Sequence, residues 1–146
     1  MLFSFIIVIR LVAATLFGAA IGLQREKVGK PAGLRTHILV TLRTTVFVLV
    51  RSGYGMSSDG LSRVIQGIVT GVGFIRTGSI LKLDKEPVIQ GLTTTAGIWM
   101  TAAIGMTIGL GGLGLALLST VLALIILTVA GRIEFQVGKS QSTNGD

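Results

Sequence analysis

The sequence has no cysteine, a single histidine and only six acidic residues among its 146 residues. The absence of cysteine excludes a disulfide scaffold and any cysteine-ligated metal site. Charged residues make up 13% of the chain, about half of the roughly 25% that is usual in soluble domains. Hydrophobic residues make up 50%, and one domain of this length cannot hide so much apolar surface from water. The composition therefore favours an integral membrane protein.

Basic residues outnumber acidic ones, with 13 Lys and Arg against six Asp and Glu and a net charge of +7. Nucleic-acid-binding domains gather such residues on a polar face, usually beside exposed aromatic side chains. Here the basic residues stand between long apolar stretches, and the aromatic residues are mostly Phe within those stretches. We therefore expect no nucleic-acid partner and attribute the basic segments to the positive-inside bias of membrane insertion.

The longest stretch without a charge covers residues 87–131, which is 45 residues. As one helix it would be about 67 Å long at roughly 1.5 Å per residue, more than twice a hydrocarbon core of about 30 Å. The glycine cluster at 109–114 predicts a turn that folds this stretch into two helices. The sequence therefore predicts a bundle of five transmembrane helices, at about 2–23, 37–54, 64–81, 89–109 and 113–130.

The distribution of Lys and Arg orients this predicted bundle. With the N-terminus outside, the inner segments hold eight basic residues and the outer segments hold two. Because basic loops stay in the cytoplasm, we expect an external N-terminus and a cytoplasmic C-terminus. We expect residues 1–132 to form the transmembrane domain and residues 133–146 to form a short, disordered cytoplasmic tail. The inner segments are 24–36, 82–88 and 131–146, and the two outer basic residues are Arg51 and Arg63.

Three of the predicted helices carry a Gly-x-x-x-Gly pair. Glycines four residues apart lie on one helix face and let another backbone approach closely. The pattern indicates a compact bundle, in which the close contacts lie either within one chain or between the copies of a homo-oligomer. The pairs are Gly18 and Gly22, Gly67 and Gly71, and Gly105 and Gly109.

The first inner loop, residues 24–37, is basic and contains a turn at Pro31 and Gly33. It either contacts an anionic lipid head group or a cytoplasmic partner, or serves only as a topogenic anchor. The single histidine has no second His or Cys nearby for a transition-metal site, so we expect an interfacial hydrogen-bonding role. The candidate contact residues are Arg25, Glu26, Lys27, Lys30, Arg35 and His37.

Three arginines, Arg10, Arg43 and Arg76, lie inside predicted spans. Arg43 and Arg76 share a depth of about 8–9 Å from the predicted cytoplasmic helix ends at roughly 1.5 Å per residue. An arginine near the centre of a helix costs about 2.5–3.5 kcal/mol of insertion free energy. Either both side chains extend to the inner head groups, or both face a cavity that is open to the cytoplasm and attracts an anionic group.

The sequence shows no catalytic constellation. It contains no nucleophile–base pair, no metal cluster and no cofactor motif, so we predict that the protein is not an enzyme and binds no cofactor. A magnesium site needs oxygen ligands, typically carboxylates and waters. The six acidic residues all stand in predicted loops, at helix ends or in the tail, at Glu26, Asp59, Asp84, Glu86, Glu134 and Asp146.

Four segments stand in order within about residues 11–132. They are GAAIGLQRE (18–26), GKPAGLRTH (29–37), GVGFI (71–75) and GLTTTAGIW (91–99). Together they resemble the MgtC/SapB family of bacterial inner-membrane proteins, in a short form without the C-terminal cytoplasmic domain of longer members. The resemblance implies a multi-pass protein of the inner membrane, linked to magnesium limitation, that regulates other membrane machinery such as the ATP synthase. A magnesium or other ion transporter or channel is the alternative.

The chain departs from this resemblance at two positions. It has Arg43-Thr44 and Arg76-Thr77 where relatives usually show small residues such as Gly-Ala. Either this chain uses intramembrane charge, or the two arginines impair the function that the resemblance implies.

Overall fold

The computed structural model of the protein describes residues 1–55, 57–80 and 92–143. Throughout these residues the chain is helical apart from short connections, which confirms the predicted all-α class. Five helices follow one another in the described part of the chain, the number that the apolar stretches predict. They are α1 (Leu2–Lys27), α2 (Leu34–Tyr54), α3 (Ser58–Ile80), α4 (Leu92–Leu110) and α5 (Leu113–Thr143).

The helices extend beyond the apolar stretches that predict them. α1 continues past the predicted end at residue 23 to Lys27, and α3 begins at Ser58 instead of residue 64. In α1 the added residues 24–27 are Gln, Arg, Glu and Lys, which end an apolar stretch but are good helix formers. The end of the predicted third helix and the start of the predicted fourth fall in residues 81–91, outside the described residues.

The cytoplasmic tail expected from residue 133 stays a prediction. In the structure α5 continues without interruption to Thr143, so residues 133–143 are helical. Adding residues to an existing helix costs little once the helix is formed. Residues 144–146 lie outside the described residues.

The turn between α4 and α5 consists of Gly111 and Gly112. Their amides donate to the carbonyl oxygens of Ile108 and Thr107, both at 2.9 Å, which satisfies carbonyls that the end of α4 would otherwise leave free. Gly111 has a φ of +93°, a left-handed conformation that favours glycine. The uncharged stretch therefore folds back at the glycine cluster that predicts the turn.

α2 lies at the centre of the bundle and packs along its length against α1 on one side and α4 on the other. α5 packs against α1 and α4, whereas α3 contacts only α2 and α4 within the described residues. Two buried apolar clusters result. The first contains Ala14, Ile21, Ile104, Ile108, Ala116 and Ala123, and the second contains Val48, Ile68, Val72 and Ala102.

Two helical segments of the described chain are long and apolar enough to cross a membrane, Ser4–Lys27 and Leu113–Arg132. The outer face of the second segment exposes a continuous row of large apolar side chains. Such a row is unfavourable in water and suits contact with hydrocarbon. The row includes Leu118, Leu122, Ile125, Ile126 and Val129, each at least 48% exposed.

Candidate functional site

The first glycine pair brings the backbone of α1 directly against α2. A Cβ atom at Gly18 would lie 2.9 Å from the His37 carbonyl oxygen, and one at Gly22 would lie 2.7 Å from the Leu34 Cα. Such distances are too short for any larger residue, so both positions require glycine. This pair therefore makes a close helix contact within one chain.

The third glycine pair makes the equivalent contact on the other side of α2. A Cβ atom at Gly105 would lie 2.5 Å from the Thr41 carbonyl oxygen, and one at Gly109 would lie 2.7 Å from the Val48 Cβ. α2 is therefore held between two glycine faces, one on α1 and one on α4. Both contacts lie within the chain.

The second glycine pair is different, because no other described atom lies within 4 Å of a Cβ built at Gly67 or Gly71. Both glycines face a groove of about 510 Å³ between α2 and α3. We call it the α2–α3 groove. Its walls are apolar except for Thr44 and Arg43, and the Arg43 side chain is exposed. The remaining lining residues include Val40, Phe47, Val50, Val64, Ile68 and Val72.

His37 belongs to α2, and its side chain is fully buried where α2 packs against α4. Its Nδ1 is 2.7 Å from the Thr101 hydroxyl oxygen, and that hydroxyl donates to the Gly97 carbonyl at 2.8 Å. The histidine therefore makes a hydrogen bond inside the bundle, not at an exposed interface. No group of three or more His, Cys, Asp or Glu residues that could hold a metal ion occurs in the described part of the chain.

Threonines extend this polar contact along α2 in a row that the sequence analysis missed. Thr41 donates to the His37 carbonyl at 2.7 Å, and Thr45 donates across the helix interface to the Gly105 carbonyl at 2.8 Å. We call His37, Thr41, Thr45 and Thr101 the polar seam. The available signal was the spacing of residues 37, 41 and 45, which places all three on one face of a helix.

The candidate contact residues of the first loop separate into buried and exposed groups. Arg25 is only 2% exposed, and its Nη2 donates to the Thr94 hydroxyl at the start of α4 over 3.1 Å. Glu26 accepts a 2.8 Å hydrogen bond from the Leu34 amide and so stabilises the start of α2. Lys27, Lys30 and Arg35 are exposed.

A second groove of about 650 Å³ opens where the end of α1, the start of α4 and the later turns of α5 meet. Three of the six predicted contact residues line it, Arg25, Lys27 and Lys30, whereas Glu26, Arg35 and His37 do not. The structure adds Arg132 of α5 and Gln24, which sequence reasoning did not single out for binding. We call this the basic groove.

The three arginines of the predicted spans have different surroundings. Arg10 is partly buried, and its Nη1 donates to the Gly109 carbonyl at the end of α4 over 2.9 Å. A cation at this position also interacts favourably with the negative end of the helix dipole. Arg43 lines the α2–α3 groove, and the side chain of Arg76 lies outside the described residues. A cavity shared by Arg43 and Arg76 thus stays a prediction.

Comparison with known proteins identifies relatives along most of the chain. The relatives include "Putative magnesium transporter YhiD" of Escherichia coli K12, 44% identical over 138 residues that cover 89% of this chain and 63% of the relative. SrpB of Synechococcus elongatus is 43% identical over 136 residues, which cover 86% and 75%. MgtC of Salmonella typhimurium is 38% identical over 117 residues, which cover 80% and 49%.

The chain thus spans about half to three quarters of the length of these relatives. No solved structure matches it. The family model described as the MgtC family matches residues 11–136, which contain all four segments that carry the resemblance. The chain therefore belongs to the MgtC family.

Proposed function

We propose that this protein is a non-enzymatic, multi-pass protein of the bacterial inner membrane that regulates other membrane machinery linked to magnesium or ion homeostasis. It does so by receiving a transmembrane helix of a partner protein in the α2–α3 groove. One observation carries the proposal, the contrast among three glycine pairs of the same spacing. Two pairs are filled by α2 of the same chain, whereas Gly67 and Gly71 face open space.

The proposal places all five helices in the membrane, with the N-terminus outside. The support is the excess of basic residues in the inner segments, which retains those segments in the cytoplasm. The packing agrees with this orientation, because Lys27 and Arg132, the last residues of the two candidate spans, line the same groove. α1 and α5 therefore run in the same direction. Five crossings require this, because the first and the fifth crossing of a membrane are parallel.

We expect the partner helix to carry an acidic residue facing Arg43. Among the described residues that line the α2–α3 groove, Arg43 is the only charged one. An arginine within a membrane is stabilised by pairing with a carboxylate, while a glycine face favours close approach of a helix backbone. A helix with a carboxylate on its contact face satisfies both requirements.

Site-specific photocrosslinking in native membranes tests this proposal. A photoreactive amino acid at Phe47, in the groove, should yield one main adduct with a membrane protein, whereas the same group at Leu118 on α5 should yield none. Gly67→Leu should abolish the adduct, because its side chain fills the groove. Gly114→Leu is the matched control, since a Cβ at Gly114 also meets no described atom within 4 Å but lies on α5.

A charge reversal identifies whether an adduct is specific. Arg43→Glu should remove it, and exchanging the facing acidic residue of the captured protein for Lys should restore it. An adduct that survives both Gly67→Leu and Arg43→Glu, or one formed equally from Leu118, would show that the groove does not receive a partner helix.

The second candidate is an ion transporter, which the name of the relative "Putative magnesium transporter YhiD" favours. The described acidic side chains lie near helix ends, where Glu26 accepts from the Leu34 amide and Asp59 stands in the first turn of α3. These positions do not supply a row of oxygen ligands along a pathway. Magnesium flux into proteoliposomes that contain only this protein would establish transport and reject the regulatory proposal.

A further inference from the structure

We propose that the basic groove binds the phosphate group of an anionic phospholipid. Lys27, Lys30 and Arg132 stand exposed around the opening, and the buried Arg25 lines the groove with them. No acidic residue is found among the described residues that line it. Four cations contributed by two helices and a loop concentrate positive potential in one concave site, which attracts an anion.

The polar side chains that line the groove favour a phosphate ester that also carries a hydroxyl group. Arg25 is held in place by its hydrogen bond to Thr94, so its charge stays beside the groove and adds to the positive potential there. The side-chain oxygen of Gln24 is buried and accepts no hydrogen bond from the described residues. A hydroxyl of a glycerol head group would satisfy that oxygen, which points to phosphatidylglycerol.

The depth of the groove matches the position of lipid head groups. The two candidate spans end at Lys27 and at Arg132, and both of these residues line the groove. A cation at the end of an apolar span lies at the boundary between hydrocarbon and water, where lipid phosphates are found. The groove therefore meets the bilayer at phosphate level.

An apolar surface extends from the groove along α5. It favours a lipid over free phosphate as the ligand, because only a lipid has an acyl chain that can cover this surface. Leu122, Ile125, Ile126 and Val129 repeat at helical spacing, so they form one face, and each is 48–61% exposed. Arg132 follows Val129 by three residues and lies on that face. A ligand with its phosphate at Arg132 can therefore lay an acyl chain along α5.

Binding of fluorescent phosphatidylglycerol to the full-length protein in detergent micelles tests the proposal. Lys30→Gln and Arg132→Gln should each weaken binding about fivefold, since each cation near such a surface contributes on the order of 1 kcal/mol. Both side chains are exposed, so the fold should persist. Arg63→Gln removes an exposed cation from α3 and should leave binding unchanged.

Two probes separate the possible sources of phosphate. Phosphatidylcholine should bind at least tenfold more weakly, because its head group carries no net charge. Excess inorganic phosphate should not displace the lipid. Equal loss in Arg63→Gln, equal binding of phosphatidylcholine, or displacement by inorganic phosphate would each overturn the proposal. The basic groove and the α2–α3 groove share no lining residue, so this result is independent of partner capture.

Discussion

The hydrogen bond between His37 and Thr101 joins α2 to α4 in the middle of the bundle. Thr101 donates its only hydroxyl hydrogen to the Gly97 carbonyl, so its oxygen accepts a hydrogen bond from the Nδ1–H of His37. The imidazole is fully buried, and a buried donor that loses its partner keeps the cost of its desolvation. The strength of this contact therefore depends on the hydroxyl at position 101.

We expect Thr101→Val to destabilise the folded protein by about 1–3 kcal/mol, because it preserves side-chain shape but leaves the His37 donor unsatisfied. Thr107→Val is the matched control, since Thr107 donates only to the Ala103 carbonyl of its own helix. The measurement is the midpoint of thermal unfolding in a mild detergent. Equal shifts for the two variants would mean that the His37 contact contributes nothing specific.

Arg10 and Arg43 should respond oppositely to substitution. Arg43 is exposed in the α2–α3 groove, so Arg43→Ala should raise accumulation in the membrane by removing an insertion cost of about 2.5–3.5 kcal/mol. Arg10 donates to the end of α4, so Arg10→Ala should lower the unfolding midpoint. Quantitative immunoblotting of membranes and thermal unfolding measure the two effects. A fall in accumulation for Arg43→Ala would contradict this account.

At the level of helices, the glycine pairs should differ in their tolerance of a methyl group. Gly105→Ala places a Cβ against the Thr44 hydroxyl and the Thr41 carbonyl, and such overpacking costs about 1–3 kcal/mol. Gly67→Ala meets open space and should stabilise α3 by about 0.8–1.0 kcal/mol through its higher helix propensity. Thermal unfolding in detergent compares them. Stabilisation by both variants would show that α4 does not pack closely against α2.

The positions of the helices follow from simple sequence patterns. Apolar stretches predict where each helix lies, and the glycine cluster predicts the turn at Gly111, because the left-handed φ there favours glycine. The extension of α5 to Thr143 was not predicted. The length of an apolar stretch predicts a membrane span, but it does not predict whether the residues after that span continue the helix. The sequence also did not predict which glycine pairs contact another helix of the chain, because a Gly-x-x-x-Gly pair does not identify the helix that packs against it.

The candidate site was predicted only in part for a related reason. Arg25 was predicted to contact a lipid head group or a partner, yet its side chain is buried and hydrogen-bonded to Thr94. The polar seam left one weak signal, the shared helix face of residues 37, 41 and 45, because a threonine that donates to its own helix, as Thr41 does, resembles any other helix residue. Arg132 joins the basic groove only when α5 folds back beside α1, so its role depends on tertiary contact.

For the whole molecule, the orientation in the membrane is directly testable. A reporter that is active only in the cytoplasm should be active when fused after Asp146 and inactive when inserted near Ser58. The physical reason is the retention of basic segments on the inner side. Matched fusions of a reporter that is active only outside should give the reverse pattern. If both fusions report the same side, an even number of helices crosses between Ser58 and Asp146, so α3, α4 or α5 does not cross.

The central position of α2 has a consequence for biosynthesis. The ribosome completes α1, α2 and α3 before it makes α4, yet α4 covers the face of α2 that carries Thr45 and the His37 imidazole. Until residues 92–110 arrive, this polar face has no helix of its own chain to cover it. In hydrocarbon such groups are costly, so the unfinished chain is the form that a membrane chaperone or protease would distinguish from the completed one.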